Sequence, residues 1–330
     1  MILSTCFCIF CDWWASAAIK QTTGHDFHWK ARGLRPFFVK RSFSSAFTAG
    51  VLLIFLAVLA AATWIDLPLS QALYQPNQTW AIYLEAMGFY PFYFPALLWL
   101  LGLANDAEVK GSIRTLCTAA FTAATALMAY SSYHHLESRG VQLAFVPVCV
   151  VWTILLFGYV FILAAESRCN AAWRKRERFG FFWGTVYMLL GNIIIHVIKP
   201  IWNRARFDEM MQQADFSNFT PWYQPFGAGG SSFPSGHTAA ACGLIFLVFI
   251  CDAFPQYRKY RKFILILCSA YIAATAASRI IIGRHFLSDT VASCLIMAGI
   301  FLLMRRSKMY REMLDKLPLA ESDAPEKEIE

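Results

Sequence analysis

Apolar residues in this chain gather into long runs separated by short polar or basic stretches. Eight runs stand out, at 46–65, 86–104, 115–133, 141–165, 179–198, 238–254, 263–282 and 286–304. Each is close to the ~20 mostly apolar residues that carry a helix across a bilayer core. The first, AFTAGVLLIFLAVLAAATWI, has no charge at all. The second contains Pro91 and Pro95, which kink a helix unless neighbours repair the lost bonds. The last two contain Arg279 and Asp289, and charge inside a membrane run is costly enough to point to function. The pattern predicts an all-α, polytopic membrane bundle of about eight transmembrane helices.

Composition removes the alternatives. Hydrophobic residues are 58% of the 330 and charged residues 15%, with a mean hydropathy of +0.46. Soluble domains hold about 45–50% and about 25%. Disordered, collagen-like and disulfide-scaffold chains are excluded by the same figures, with Gly at 18, Pro at 13 and Cys at 10. With the N-terminus inside, 23 of the 29 Lys and Arg fall on inner segments and 6 on outer ones, which predicts that both termini are cytoplasmic. The net charge of +8 is then membrane-surface positivity rather than a nucleic-acid footprint. The basic stretches WRKRER (173–178) and YRKYRK (257–262) read as short inner loops. The apolar start, with Cys6, Cys8 and Cys11, reads as an interfacial segment without metal, since no partner ligands follow at useful spacing. This gives an N-terminal segment 1–45, N-terminal membrane helices 46–165, a core 166–310 and an acidic tail 311–330. The longest loop, 199–237, falls on the outer face, where Gly227, Gly229 and Gly230 would let it move over a ligand.

Three polar clusters occupy the outer ends of the last four runs: Lys199 with Arg206 (KPIWNRAR), then Pro234-Ser235-Gly236-His237, then Ser278-Arg279 followed by His285 and Asp289. Three cations at one boundary suit a dianionic phosphate, and the fork of Arg suits it best. Snorkelling of long basic side chains accounts for Arg139 and Arg204, but poorly for Arg279, which lies inside AATAASRIIIG. Ser235 can cap a helix, and Gly236 lets its backbone approach a ligand. His285 and Asp289 are four apart and share a helix face, so the carboxylate can bond one imidazole nitrogen and leave the other free to attack. His134, His135 and His196 read as interfacial or packed, and Phe216, Phe219, Trp222, Tyr223 and Phe226 as an aromatic belt or the edge of a lipid entrance.

Together these clusters resemble the type-2 phosphatidic acid phosphatase superfamily, whose pattern is Lys-x6-Arg-Pro, Pro-Ser-Gly-His and Ser-Arg-x5-His-x3-Asp. Order and spacing match across roughly 179–304, with Phe207 in place of the first motif's proline, which leaves that loop looser or anchors it at the interface by its ring. The resemblance implies the family's six-helix core behind extra N-terminal helices, and two-step phosphoryl transfer with no metal or other cofactor. It makes His285 the nucleophile, oriented by Asp289, and His237 the acid. Lys199, Arg206, Ser235, Gly236 and Arg279 then hold the phosphate. The implied substrate is a phosphorylated lipid of the phosphatidic acid, phosphatidylglycerol phosphate, undecaprenyl diphosphate or lipid A type. It would be met at the outer face of a membrane, the bacterial cytoplasmic membrane with the site facing the periplasm or exterior. No obligate protein partner and no nucleic acid is expected. The rivals are a phosphotransferase that passes phosphate to a second lipid and, from another class, a lipid transporter, which would show inverted repeats that this chain lacks.

Overall fold

The computed structural model describes residues 45–166, 171–227 and 229–318. The expectation for the cysteine-bearing start lies outside them, as does the acidic tail beyond residue 318, whereas its first residues, 311–315, are helical. Every regular element among the described residues is helical. They are α1 (Ser45–Leu73), α2 (Thr79–Met87), α3 (Tyr90–Ala104), α4 (Gly111–Ser138), α5 (Phe145–Glu166) and α6 (Ala171–Trp202). After these come α7 (Phe207–Gln213), α8 (Gly236–Ala241), α9 (Phe246–Ala253), α10 (Arg261–Ile281), α11 (Leu287–Arg306) and α12 (Lys308–Asp315). A 3-10 turn, Cys242–Ile245, fuses α8 to α9, and another, Pro255–Tyr260, leads into α10.

Among the described residues seven helical stretches are long and apolar enough to cross a membrane. The expected span at 141–165 is α5, whose described side chains form a shorter apolar stretch, Phe145–Leu155. The expected span at 86–104 begins earlier, at Thr79, and is broken at Gly88 and Phe89, with Pro91 in the first turn of α3, where its missing N–H costs nothing. Glu85 hid this start, because a carboxylate seven residues into an apolar run reads as its boundary. WRKRER is not a loop either. It lies in the first turns of α6, and Arg176 turns inward to donate to the carbonyls of Ala253 (3.0 Å) and Pro318 (2.8 Å).

α6 is the central helix, packed on α3, α8, α9 and α11, while α1 lies against α11 and α2 against α10. The main core joins Trp183 and Tyr187 of α6 to Phe249 of α9, Met297 of α11 and Tyr310 of α12. Buried contact of this kind fixes the ends of α6, α8, α10 and α11 relative to one another, and those ends carry the three polar clusters.

Candidate active site

Lys199 sits in the last turn of α6 and Arg206 just before α7. Both reach the same residue: Lys199 Nζ donates to the carbonyl of Ser231 at 2.6 Å, and Arg206 Nη2 to its hydroxyl at 2.7 Å. Arg206 also lies 3.7 Å from Glu209, a loose and partly exposed pair. Ser235 caps α8 by accepting from the Thr238 N–H and hydroxyl, so its own proton remains available to an acceptor. Its N–H donates to the carbonyl of Asp289 (3.1 Å), which locks the start of α8 to α11. Gly236 faces Lys199, and a Cβ there would lie 3.9 Å from Lys199 Cε.

Arg279 ends α10 and is 2% exposed. Its Nη2 donates to Glu85 Oε1 at 3.0 Å, while Nε and Nη1 are buried without a partner. Its carbonyl accepts the N–H groups of Arg284 (3.0 Å) and His285 (3.2 Å), so the phosphate-binding candidate and the nucleophile candidate share one turn. Gly283 makes that turn with φ +78°, and a Cβ there would press on Tyr74 at 2.7 Å.

His285 Nδ1 donates to the carbonyl of Ser232 at 2.6 Å. A carbonyl only accepts, so the proton is on Nδ1 and Nε2 is left with a free lone pair. This corrects the expectation that Asp289 holds the imidazole directly: Asp289 Oδ2 is 3.6 Å from Nδ1. The carboxylate is already engaged by Arg204 Nη1 (2.6 Å), the Ser232 hydroxyl (2.5 Å) and the Phe286 N–H (2.8 Å). Ser232 therefore joins them, with its hydroxyl on Asp289 and its carbonyl on His285. Burial pushes the His285 imidazole down to about 4, with Asp289 pulling the other way and Lys199 and Arg279 adding to the push.

His237 Nε2 donates to the main-chain carbonyl of Glu85 at 3.0 Å, which leaves Nδ1 as the atom able to carry a second proton. The ring borders a cavity of about 370 Å³ walled mostly by apolar and aromatic side chains, among them Phe89, Phe92, Tyr93, Met188 and Ile195. His196, expected to be packed, is exposed and lines the same cavity.

Two basic residues assigned to snorkelling are turned inward. Arg204 is 1% exposed and donates to Thr220 O (2.8 Å), Ser288 Oγ (2.8 Å), Asp289 and Asp66 (3.0 Å), with the Phe286 ring 4.2 Å from its guanidinium carbon. Arg139 meets Glu85 Oε2 at 2.6 Å. Glu85, Asp66 and Ser232 are the further site residues that sequence reasoning missed. Phe207 is wholly buried against Tyr74, Phe216 and Phe286. Its ring thus fixes the loop from inside the protein, and the loop is neither slack nor anchored at an interface. Nor do the glycines make the segment 199–237 free: the N–H groups of Gly227, Gly229 and Ser232 donate to the carbonyls of Trp202, Asn203 and Arg204, and a Cβ on Gly230 would meet Arg204 O at 2.4 Å. Gly230 serves close approach.

No curated protein and no solved structure matches the chain. Residues 180–313 match the family model of the PAP2 superfamily, a segment that contains Lys199, Arg206, Ser235, Gly236, His237, Arg279, His285 and Asp289. Over that segment the chain is similar to the PAP2 superfamily, which supports a phosphatase-type activity on a phosphorylated substrate.

Proposed function

We propose that this integral membrane protein removes phosphate from a phosphorylated lipid through a phosphohistidine on His285, at the outer face of the membrane. The observation that carries the reading is the Nδ1 bond of His285 to Ser232 O, which leaves Nε2 unprotonated on a ring that feels the charges of Lys199 and Arg279. Nε2 forms the bond to phosphorus, and the P–O bond to the lipid breaks. His237 gives a proton to the departing oxygen. Water then attacks phosphorus, the N–P bond breaks, and His237 takes the proton back as inorganic phosphate leaves. Lys199, Arg206, Arg279, the Ser235 hydroxyl and the Gly236 amide hold the equatorial oxygens, a form of electrostatic stabilisation that is usually the largest catalytic term. The apolar walls around His237 suit a hydrocarbon leaving group. The positive charge comes from side chains, so the reading needs no metal.

The test is phosphate release from a panel of purified lipid phosphates in detergent, with His285→Ala as blank. Chelator should leave the rate within about two-fold, and vanadate should inhibit as a phosphate mimic. His237→Ala should cost about 10²–10⁴-fold on a lipid, whose alkoxide leaves poorly. On an aryl phosphate with an acidic phenol, the same variant should recover most of its rate. Full loss of activity in EDTA, restored by Mg²⁺, or rescue of His285→Ala on the aryl substrate, would overturn the reading. Label retained on a second lipid instead of appearing as free phosphate would make the protein a phosphotransferase.

A further inference from the structure

Asp66 lies on α1, a helix that precedes the family segment and of whose apolar window only 6% is buried inside the protein. Yet Asp66 itself is 2% exposed. Its carboxylate accepts the Ser288 N–H (3.0 Å), the Ser288 hydroxyl (2.5 Å) and Arg204 Nη2 (3.0 Å). The hydroxyl's proton is free for this because Ser288 Oγ accepts from Arg204 Nη1. Three donors and no acceptor describe an ionised carboxylate.

Arg204 is therefore divided. Nη2 goes to Asp66 and Nη1 to Asp289, and its side chain is fully enclosed. Two carboxylates against one guanidinium leave this buried group with a net charge of −1. The remainder matters for the reading of His285 as nucleophile, on which this inference rests. When Nε2 bonds to phosphorus, Nδ1 keeps its proton and the ring becomes cationic, with Asp289 Oδ2 3.6 Å away. The other charged groups placed at the phosphate, Lys199, Arg206 and Arg279, are cations and oppose that charge. A guanidinium belonging to Asp289 alone would cancel its carboxylate.

We propose that Asp66 is a positioning residue that shares Arg204 with Asp289, so that one uncancelled negative charge faces His285 as the N–P bond forms. Asp66 touches neither substrate nor nucleophile and acts through Arg204. The function belongs to charge balance, so it can be tested by restoring the balance without restoring Asp66.

The experiment compares wild type, Asp66→Asn, Asp66→Glu and Asp66→Asn/Arg204→Gln as full chains in detergent, with kcat and KM on phosphatidic acid and the single-turnover rate of phosphoenzyme formation. Asp66→Asn makes the group neutral and should lower kcat and phosphoenzyme formation about 10–100-fold, with KM within about three-fold. Asp66→Glu keeps the charge and should stay within about five-fold of wild type. The double variant returns the net charge to −1 through Asp289 alone and should recover at least half of the logarithmic loss. A double variant as slow as Asp66→Asn, or a loss carried by KM, would overturn the proposal and leave Asp66 a structural anchor. If Asp66→Asn does not fold, thermal unfolding will show it. Asp66→Glu and the double variant then carry the test, and a folded double variant more than about 100-fold below Asp66→Glu overturns it. Phosphoenzyme that still forms in His285→Ala would instead remove the nucleophile reading itself.

Discussion

At the end of the bundle where α6 begins, Asp252 of α9 gathers a ring of donors: Arg261, both Nε and Nη2 of Arg305 (2.7 and 2.9 Å) and the Tyr310 hydroxyl (2.7 Å). About 35 Å away, 23 residues beyond Arg176 along α6 at ~1.5 Å each, Lys199 and Arg206 reach the neutral carbonyl and hydroxyl of Ser231, and Arg279 keeps two nitrogens without a partner. Cations that close on a buried carboxylate form a lock between helices. Cations held by neutral acceptors, or like Arg279 by a carboxylate at one nitrogen only, keep donors for something that arrives. At this second end the carboxylates stand behind the cations: Glu85 orients Arg279, and Asp289 backs His285. The comparison separates a cluster that serves the fold from one suited to an anion, although both are buried and rich in arginine.

Substitutions should divide along the same line. His285→Ala should abolish phosphoenzyme and lower kcat by more than about 10⁴-fold, because the covalent step is missing. Lys199→Ala and Arg279→Ala should each cost about 10²–10³-fold. Asp252→Ala should destabilise the fold by about 3–5 kcal/mol, since it leaves buried guanidinium groups uncompensated. Activity per folded molecule should remain within about three-fold. Loss of turnover in well-folded Asp252→Ala would break the distinction. Phe207→Ala, which empties a fully buried aromatic site beside Arg206, should cost about 3–5 kcal/mol of stability and raise KM about ten-fold, with kcat within about ten-fold. Proton linkage sharpens the picture at the proposed nucleophile. His285 is a base held down at about 4, so it stays neutral and competent above that value and is lost as pH falls through it. The acid limb of kcat/KM due to His285 should therefore lie below pH 5, and a limb near 6.5 that vanishes in a His285 variant would contradict the burial. The smallest effect is expected at the rim: Glu209→Gln, removing a loose pair at 3.7 Å, should change KM by less than about two-fold.

Hydropathy made the helices legible, because a bilayer core demands apolar length and little else. The eight motif residues were legible because each cluster is short in sequence. What sequence concealed is long-range. Arg204 and Asp66 are 138 positions apart, and Arg279 and Glu85 are 194 apart. Nothing local distinguishes an arginine that snorkels from one that turns inward, since either ends a helix with a long basic side chain. Ser232 escaped for a different reason: it acts through its carbonyl as well as its hydroxyl, and a main-chain acceptor has no signature in side-chain identity. The glycines at 227–230 misled in the same way, because glycine permits both mobility and close approach, and only the neighbouring backbone decides which.

Glu85 gives this architecture a consequence for inheritance. Its side chain holds Arg279 and its carbonyl holds His237, while it stands on a helix that ends 93 positions before the family segment begins. The portion that carries the recognisable motifs is thus smaller than the portion that carries the working geometry. A chimera that keeps 180–313 and borrows the preceding helices from an unrelated membrane protein would bear every motif yet lose the partners of Arg279 and His237. The smallest transplantable unit runs from before Asp66 to the end of α12, and drift in α1 and α2 is constrained by residues more than a hundred positions downstream.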